Sequence, residues 1–434
     1  MTPIQAKALP HVFAGSDLIG QAKTGSGKTA AFGLGLLSRL DSELYQVQSL
    51  VLCPTRELAD QVAKQLRKLA RTIPNIKVLT LCGGVPMGPQ ISSLQSGAHI
   101  VVGTPGRIED HLYRGRLTLD KVSCLVLDEA DRMLEMGFQE TLEKIVKQIP
   151  KQRQTLLFSA TYPIEIQAIA RRIMDQPELI KVESTHDDSS IEQHFYQIES
   201  KDERFDGVRL LLLEHQPESA LIFCNTKRET KELAEALKQS NFSVAALHGD
   251  LDQRDRDQTL IRFSNKSISV MVATDVAARG LDIDSVDAVI NYHIAQENEV
   301  HTHRIGRTGR AGAKGAAYSL YNSKEQYKVI QLGIYLDREI VSESLPSPSL
   351  LKTSPQQAAM TTLKIDGGKK QKLRPGDILG ALTGAKGIAG NDVGKIDLAD
   401  NWAYVAVSRS QWKAALNKLS EGKLKGRSFR VRRL

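Results

Sequence analysis

The stretch Ala22-Lys23-Thr24-Gly25-Ser26-Gly27-Lys28-Thr29 carries the clearest chemistry in this 434-residue chain. A loop this rich in glycine lets successive backbone N–H groups converge on phosphate oxygens, at the start of a helix whose dipole favours anions. Lys28 would reach the β- and γ-phosphates of a nucleotide, and the Thr29 hydroxyl would hold Mg2+. Ala22 stands where the strict form of such a loop has its first glycine. A second motif, Leu125-Val126-Leu127-Asp128-Glu129-Ala130-Asp131, sets adjacent carboxylates at the end of an apolar run. Asp128 there can hold Mg2+, and Glu129 is placed to orient and deprotonate an attacking water. Paired carboxylates at a strand end also suit a helix N-cap, but a phosphate-binding loop in the same chain gives a metal ion something to bridge.

These residues need a scaffold that holds loops side by side. Across residues 1–184, apolar runs at Leu50–Leu52, Val78–Leu81, Ile100–Val102, Leu125–Leu127 and Leu156–Phe158 each end in Gly, Pro, Ser, Thr or Asp. Continuous runs of this length suit strands buried on both faces of a parallel sheet. Between them Leu58, Val62, Leu66, Leu69 and Ile73 recur at helical spacing. The series predicts an open, doubly wound α/β domain. Residues 185–190 are polar and read as a linker. A second series over residues 191–342 has strands expected at Ala220–Phe223, Ser243–Leu247, Val270–Ala273, Ala288–Asn291 and Ala316–Tyr321. Residues 343–359, rich in Pro and Ser, read as a second linker. In residues 360–434 the expected order is a strand at Thr361–Asp366, a helix at Pro375–Leu382, strands at Lys395–Ala399 and Trp402–Val407, a helix at Gln411–Leu419 and a strand at Ser428–Leu434. That βαββαβ order fits a small α+β domain of the RNA-recognition-motif type.

Charge separates the tail from the rest. Of 58 Lys+Arg and 50 Asp+Glu, residues 361–434 hold 16 and 6, a surplus of +10, which leaves residues 1–360 at −2. Such asymmetry points to a polyanion partner for the tail. Cys53, Cys82, Cys124 and Cys224 are widely spaced and form no C-x-x-C pair, so buried packing thiols are expected rather than a disulfide or zinc framework. No apolar run approaches the length that crosses a bilayer, and the opening residues lack a signal-peptide pattern. A cytoplasmic protein with no membrane partner is the expectation, and a monomer is assumed.

Beside the two motifs stand Thr2-Pro3-Ile4-Gln5, Pro54-Thr55-Arg56-Glu57-Leu58-Ala59, Thr104-Pro105-Gly106-Arg107, Ser159-Ala160-Thr161, Thr274-Asp275 through Ala278-Arg279-Gly280-Leu281-Asp282, and His303-Arg304-Ile305-Gly306-Arg307-Thr308-Gly309-Arg310. In order and spacing this set resembles the DEAD-box RNA helicases, across both α/β domains. The resemblance implies two tandem RecA-like domains and an RNA-dependent ATPase using ATP and Mg2+. It gives Gln5 the adenine edge and Asp275 the ribose or the water network. Arg307 and Arg310 become arginine fingers on the γ-phosphate, with phosphate binding to RNA as the alternative. Ser159 and Thr161 would tie the site to domain closure, and His303 would meet Asp131 across the cleft. Family members carry upstream residues that include an aromatic packing on adenine. The opening Met1-Thr2-Pro3-Ile4-Gln5 therefore leaves open a misassigned start, a trimmed chain or weaker ATP binding.

Pro54, Thr55, Arg56, Gly83, Gly84, Thr104, Gly106 and Arg107 lie at strand-to-helix turns of the first domain, and Asn225, Thr226, Gln253, Arg256, Thr274 and Arg279 at those of the second. Backbone N–H groups, hydroxyls and guanidinium groups of this kind suit a sugar–phosphate track without base reading. The resemblance implies that they grip and bend one RNA strand. The tail, with Ile365-Asp366-Gly367-Gly368-Lys369-Lys370 and Arg374-Pro375-Gly376-Asp377-Ile378-Leu379-Gly380, resembles the RNA-binding domain of the bacterial DbpA group. It implies a hairpin of large-subunit ribosomal RNA as target and the assembling large subunit as partner. Lys369, Lys370, Lys372 and Arg374, with Lys423, Lys425, Arg427 and Arg430, are the expected RNA contacts of the tail. Trp402 and Tyr404 share one face of a strand, either as a stacking platform or packed under a neighbouring segment. A DNA translocase would share the two α/β domains; a non-catalytic RNA clamp would have lost Lys28, Glu129 or Arg307, and all three are present.

Overall fold

The computed structural model describes residues 1–22, 25–182, 191–278, 286–309, 315–385 and 387–434. Lys23, Thr24, Arg279, Arg310 and the expected linker at 185–190 lie outside the described residues.

The first sheet comprises β1 (Leu18–Gln21), β2 (Ser49–Leu52), β3 (Val78–Leu81), β4 (Ile100–Gly103), β5 (Cys124–Asp128), β6 (Gln154–Ser159) and β7 (Glu178–Lys181). All pair in parallel, in the order β3-β4-β2-β5-β6-β1-β7. Parallel neighbours need crossovers, and helices supply them on both faces. Val51, Val126 and Phe158 pack into one core cluster while Leu50, Leu125 and Leu157 pack into another, so alternate residues of one strand enter opposite cores. That two-sided burial is why the strands read as continuous apolar runs. The Arg56–Leu69 helix buries Leu58, Val62 and Leu66, and Thr55 caps it by accepting the Leu58 N–H at 3.3 Å.

The second sheet repeats the plan with β8 (Ile191–Gln197), β9 (Ala220–Cys224), β10 (Val244–Leu247), β11 (Val270–Thr274), β12 (Ala288–Asn291), β13 (Gly315–Tyr321) and β14 (Ser342–Glu343), in the order β10-β11-β9-β12-β13-β8-β14. The third is antiparallel, β16-β17-β15-β18, built from β15 (Met360–Ile365), β16 (Val393–Leu398), β17 (Ala403–Ser408) and β18 (Val431–Arg433). Its helices, Pro375–Thr383 and Trp412–Glu421, bury Ile378, Leu382, Ala415 and Leu419 against Leu363, Ile365, Val405 and Val407. One compact unit holds the first sheet, and the other holds the second and third.

In the two parallel sheets β1, β7, β8 and β14 lie outside the apolar runs expected as strands. The last strand is Val431–Arg433, shorter than the expected Ser428–Leu434, and β16 starts at Val393, ahead of the expected Lys395, with an irregularity before Ile396. In the segment 343–359, Leu345, Leu350 and Leu351 pack on the core of the second sheet, because its leucines outweigh its proline-rich character.

Candidate nucleotide site and nucleic-acid interface

Strand order divides the carboxyl edge of the first sheet into two halves. The adjacent strands β5, β6 and β1 run into Asp128-Glu129, Ser159-Ala160-Thr161 and the glycine-rich loop, and β3, β4 and β2 run into Gly83-Gly84, Thr104 and Pro54-Thr55-Arg56. Loops beyond the carboxyl ends of parallel strands are where open α/β sheets bind ligands.

In the nucleotide half, Gly25 and Gly27 adopt φ of 83° and 91°, a region that a side chain would strain. Gly27 directly precedes the Lys28–Ser38 helix. Gln5 donates from Nε2 to the Gly27 carbonyl at 3.1 Å and accepts the Thr2 N–H at 2.9 Å, tying the first helix to the loop. A Cβ on Gly27 would collide with the Gln5 amide. Lys28 is buried and donates to the Ala22 carbonyl at 2.8 Å. Asp128 is 3% exposed; burial pushes its pKa up to about 6, Lys28 pulling down and Glu129 pushing up. Glu129 stands in the left-handed region at φ 53°, with its Oε2 3.5 Å from Arg132 Nε. Such a conformation costs on the order of 1–3 kcal/mol and persists where the surroundings enforce it.

Asp131 joins two of the motifs. Its Oδ2 accepts the Ala160 N–H at 3.1 Å, the Thr161 N–H at 2.9 Å and the Thr161 hydroxyl at 3.0 Å, and its Oδ1 accepts the Arg132 N–H at 3.0 Å. Ser159 Oγ accepts the Asp131 N–H at 3.3 Å. Burial opposes the charge on Asp131, yet the Thr161 N–H, Arg132, Ser159 and Lys28 together hold its carboxyl below the usual range.

In the other half, Gly84 has φ 69°, and a side chain there would run into the Arg56 guanidinium. Arg107 donates to the Val85 carbonyl at 3.3 and 3.4 Å. Arg56 and Arg107 thus flank the Gly83-Gly84 turn, and open space surrounds Gly106. Gln90 donates to the Cys82 carbonyl at 3.0 Å and meets His111 Nε2 at 3.2 Å, buttressing the turn from beneath.

The second sheet gathers its candidate residues at the carboxyl ends of three adjacent strands. From β9, β10 and β11 the chain passes to Asn225-Thr226, to the Gln253–Ser264 helix and to Thr274-Asp275. Thr226 Oγ1 accepts the Glu229 N–H at 3.2 Å, and Thr274 Oγ1 accepts the Ala277 N–H at 3.3 Å. Arg256 donates to the Ala277 carbonyl at 2.7 Å, and Gln253 to Asp257 at 2.8 Å. Asp275 is held by Arg304, Nε to Oδ1 at 2.7 Å and Nη2 to Oδ2 at 2.8 Å, so its first partner is inside the domain. Arg304 is 2% exposed and also reaches Asn225 and Asn291. Sequence reasoning leaves Arg304 without a role, although its place beside His303 marks it. His303 shares the Asn298–Ile305 helix with Arg304, and Arg307, buried, follows that helix.

In the small domain, Lys369 and Lys370 are exposed on a tight turn whose N–H groups donate to the Ala399 and Asp400 carbonyls, both at 2.9 Å. Lys423 is exposed, whereas the Lys425 ammonium donates to the Lys372 carbonyl at 2.7 Å and lies 3.3 Å from Asp377. Tyr404 does not form an open platform. It is buried with Thr362 and Lys364 on the sheet face away from the helices. That face packs on the second α/β domain: Asn265 Nδ2 donates to Thr362 Oγ1 at 2.9 Å, and Lys395 Nζ donates to Ser264 Oγ at 2.6 Å. The Arg254 guanidinium lies 5.5 Å from the Trp402 ring centre, and the Lys364 ammonium 4.8 Å from it. Burial, with Arg254 and Arg432 nearby, pulls the Lys364 pKa down.

Comparison with known proteins agrees with this arrangement. Residues 2–169 match the DEAD/DEAH box helicase model, residues 201–312 the helicase conserved C-terminal domain, and residues 362–433 the DbpA RNA binding domain. The chain is 52% identical over its whole length to the ATP-dependent RNA helicase DbpA of Escherichia coli, covering 94% of that protein. The chain belongs to the DEAD-box RNA helicases. It is also 49% identical over 325 residues to the ATP-dependent RNA helicase CshA of Listeria monocytogenes, matching 75% of this chain and 62% of that one. A structure of Saccharomyces cerevisiae Dbp5 bound to RNA and ADP BeF3 aligns with a TM-score of 0.72 at 30% identity, over 82% of this chain and 94% of that one. This DEAD-box protein is therefore an RNA-dependent ATPase and RNA helicase that carries a DbpA-type RNA-binding domain.

Proposed function

We propose that this DEAD-box helicase remodels a hairpin of large-subunit ribosomal RNA during assembly of the large ribosomal subunit, with its C-terminal domain as the address. The observation that carries the reading is the split carboxyl edge of the first sheet, together with a tail whose net charge is +10. Lys28 binds the β- and γ-phosphates, the N–H groups of residues 22–27 cradle them, and Gln5 reads adenine. Thr29 and Asp128 hold Mg2+. Both are hard oxygen donors, Asp128 is buried with Lys28 as its principal counter-charge, and a site with few protein ligands suits an ion that keeps water and phosphate oxygens. When bound, that ion supplies positive charge to the phosphate oxygens. Glu129 orients the attacking water and takes its proton, and Arg307 and Arg310 neutralise charge on the transferring phosphoryl group. Asp275 acts on the site through the guanidinium of Arg304.

Arg56, Gly84, Thr104, Gly106 and Arg107, with Asn225, Thr226, Gln253, Arg256, Thr274 and Arg279, hold the sugar–phosphate chain. Lys369, Lys370 and Lys423 meet the target RNA. Lys425 supports them by fixing the turn at Lys372. Among the described residues no helix is long and apolar enough to cross a membrane; we place the protein in the cytoplasm, acting as a monomer.

The test compares ATP hydrolysis with a large-subunit ribosomal RNA hairpin, a scrambled hairpin of equal length and single-stranded DNA. Half-saturation at the lowest concentration with the ribosomal hairpin supports the reading. Equal stimulation by the scrambled hairpin removes the ribosomal target, and equal stimulation by DNA removes RNA selectivity.

A further inference from the structure

Just after β12 the chain passes through Tyr292 and His293, and both ring nitrogens of His293 face a carboxylate. Nε2 lies 2.6 Å from Glu229 Oε1, and Nδ1 lies 3.2 Å from Glu325 Oε1. A neutral imidazole has one N–H, so one of these contacts would then set lone pair against lone pair. Only the imidazolium donates in both directions. Arg204, from the Lys201–His215 helix, closes the far side: its Nη2 lies 2.6 Å from Glu325 Oε2, and its Nη1 donates to the Tyr292 and Leu320 carbonyls. Glu325 also caps its own turn, accepting the Asn322 N–H at 3.1 Å. The Tyr292 ring meets His293 edge-on at 5.1 Å, and the buried Cys224 thiol of β9 lies within the field of Glu229. Burial disfavours charge on His293, but Glu229 and Glu325 outweigh it and its pKa lies above the ordinary value. Burial likewise pushes Glu325 up, while His293 and Arg204 prevail and hold it at about 2.

Two lines of contact run from His293 to Asn225. Glu229 binds the imidazole through Oε1 and accepts the Asn225 N–H through Oε2 at 3.3 Å. The His293 carbonyl accepts Arg304 Nη1 at 2.8 Å, and Nη2 of that guanidinium donates to Asn225 Oδ1 at 3.1 Å. Arg304 is in turn locked to Asp275. Asn225 is exposed, yet both its backbone and its side-chain oxygen are fixed from beneath. With Oδ1 turned inward, the NH2 is the end of the amide left for an outside acceptor such as a phosphate or ribose oxygen.

We infer that His293, as an imidazolium bridging Glu229 and Glu325, is a positioning residue that orients Asn225 for RNA and makes RNA capture pH-dependent. This rests on the reading of Asn225 as an RNA contact. The bridge is complete below the ordinary histidine pKa of about 6.5 and is lost as pH rises through the higher value in the folded protein. Loosening Asn225 weakens RNA capture, whereas ATP turnover on bound RNA depends on Lys28 and Glu129 of the first domain and Arg307 and Arg310 of the second, and not on the His293 imidazole.

The experiment measures, on the full chain, the RNA concentration giving half-maximal ATPase and kcat at saturating RNA, from pH 6 to pH 9. With His293→Gln the half-saturating concentration rises about 5- to 20-fold at pH 6, the effect of one lost charged hydrogen bond, while kcat changes less than about twofold. Half-saturation of the wild type climbs toward pH 9, and that of H293Q stays level. Parallel pH curves for the two proteins overturn the inference. Asn225→Ala separates it from the reading beneath it. Unchanged half-saturation in N225A refutes Asn225 as an RNA contact; a raised value in N225A with none in H293Q refutes His293 alone. Nitrogen-15 histidine spectra of the wild type bypass any folding defect of the variants. Both ring nitrogens of His293 carry protons at pH 6, below the ordinary histidine pKa, and a single N–H there overturns the bridge.

Discussion

Replacing Asp131 by Asn tests whether the contact between the Asp128–Asp131 motif and Ser159–Thr161 depends on charge. The carboxylate is 4% exposed and accepts the N–H groups of Ala160, Thr161 and Arg132 and the Thr161 hydroxyl. Asn has almost the same shape but only one acceptor oxygen. If that oxygen faces Ala160 and Thr161, its NH2 meets the Arg132 N–H, donor against donor; flipping the amide sets NH2 against three donors instead. The better orientation still loses one charge-assisted bond and weakens the others, about 2–4 kcal/mol in sum. For a domain of this size that lowers the thermal midpoint by about 5–15 °C. Thr161→Val removes only the hydroxyl bond, about 1 kcal/mol, so it should shift the midpoint less.

Scanning calorimetry on the full chain should resolve the first α/β domain as a separate transition, identified by its upward shift with saturating nucleotide. The Asp131 pKa is depressed in the fold, so its contribution is present above the unfolded value of about 3.9 and lost as pH falls through the lower folded value. D131N should therefore differ from wild type at pH 7 and converge on it at low pH. A midpoint within about 1 °C of wild type at pH 7 would refute the charge-dependent tie.

Glu129→Gln should keep ATP and RNA binding while lowering RNA-stimulated hydrolysis by about 10²–10⁴-fold, because the amide cannot take the proton of the attacking water; undiminished turnover would remove Glu129 from that role. Asp128 has the opposite sign to Asp131. Burial raises its pKa to about 6, so its stabilising contribution is full below the unfolded value of about 3.9 and disappears as pH rises through 6. Without nucleotide or metal, Asp128→Asn should raise the thermal midpoint at pH 8 and leave it unchanged at pH 3.5, which calorimetry would check. Lys369→Glu with Lys370→Glu, both exposed, should raise the half-saturating concentration of the ribosomal hairpin about tenfold or more while leaving that of an unrelated RNA near wild type. An equal loss with both RNAs would show that these lysines supply charge and not address.

The parallel strands, the glycine-rich loop and the carboxylate motif are legible in the sequence because each rests on local physics. Leu125–Leu127 must be apolar throughout, since neighbouring residues of the strand enter different cores. Gly25 and Gly27 must be glycine because the loop turns through positive φ. The strands that escape notice are those local chemistry does not mark. Three of the four residues of β7 are exposed, β8 mixes polar and apolar residues, and β14 has two exposed residues. Each is recruited by pairing with a neighbour already in place.

Tertiary structure alone decided which of the polar residues work together. Alternation in the sequence puts Trp402, just before β17, and Tyr404 on one face, but it cannot say what that face meets, and the fold closes it with the Gln253–Ser264 helix and the turn after it. Asp275 looks like a free carboxylate until Arg304, 29 residues away, takes both its oxygens. His293 has no motif around it. Its two carboxylate partners lie 64 residues before and 32 residues after it, and only the order β9-β12 in the sheet and the turn after β13 bring them to one imidazole. Periodicity and motif spacing report what a residue does to its own segment. A charge buried between segments is set by distances that no segment contains, and so the phosphate loop is readable in the sequence while the support beneath Asn225 is not.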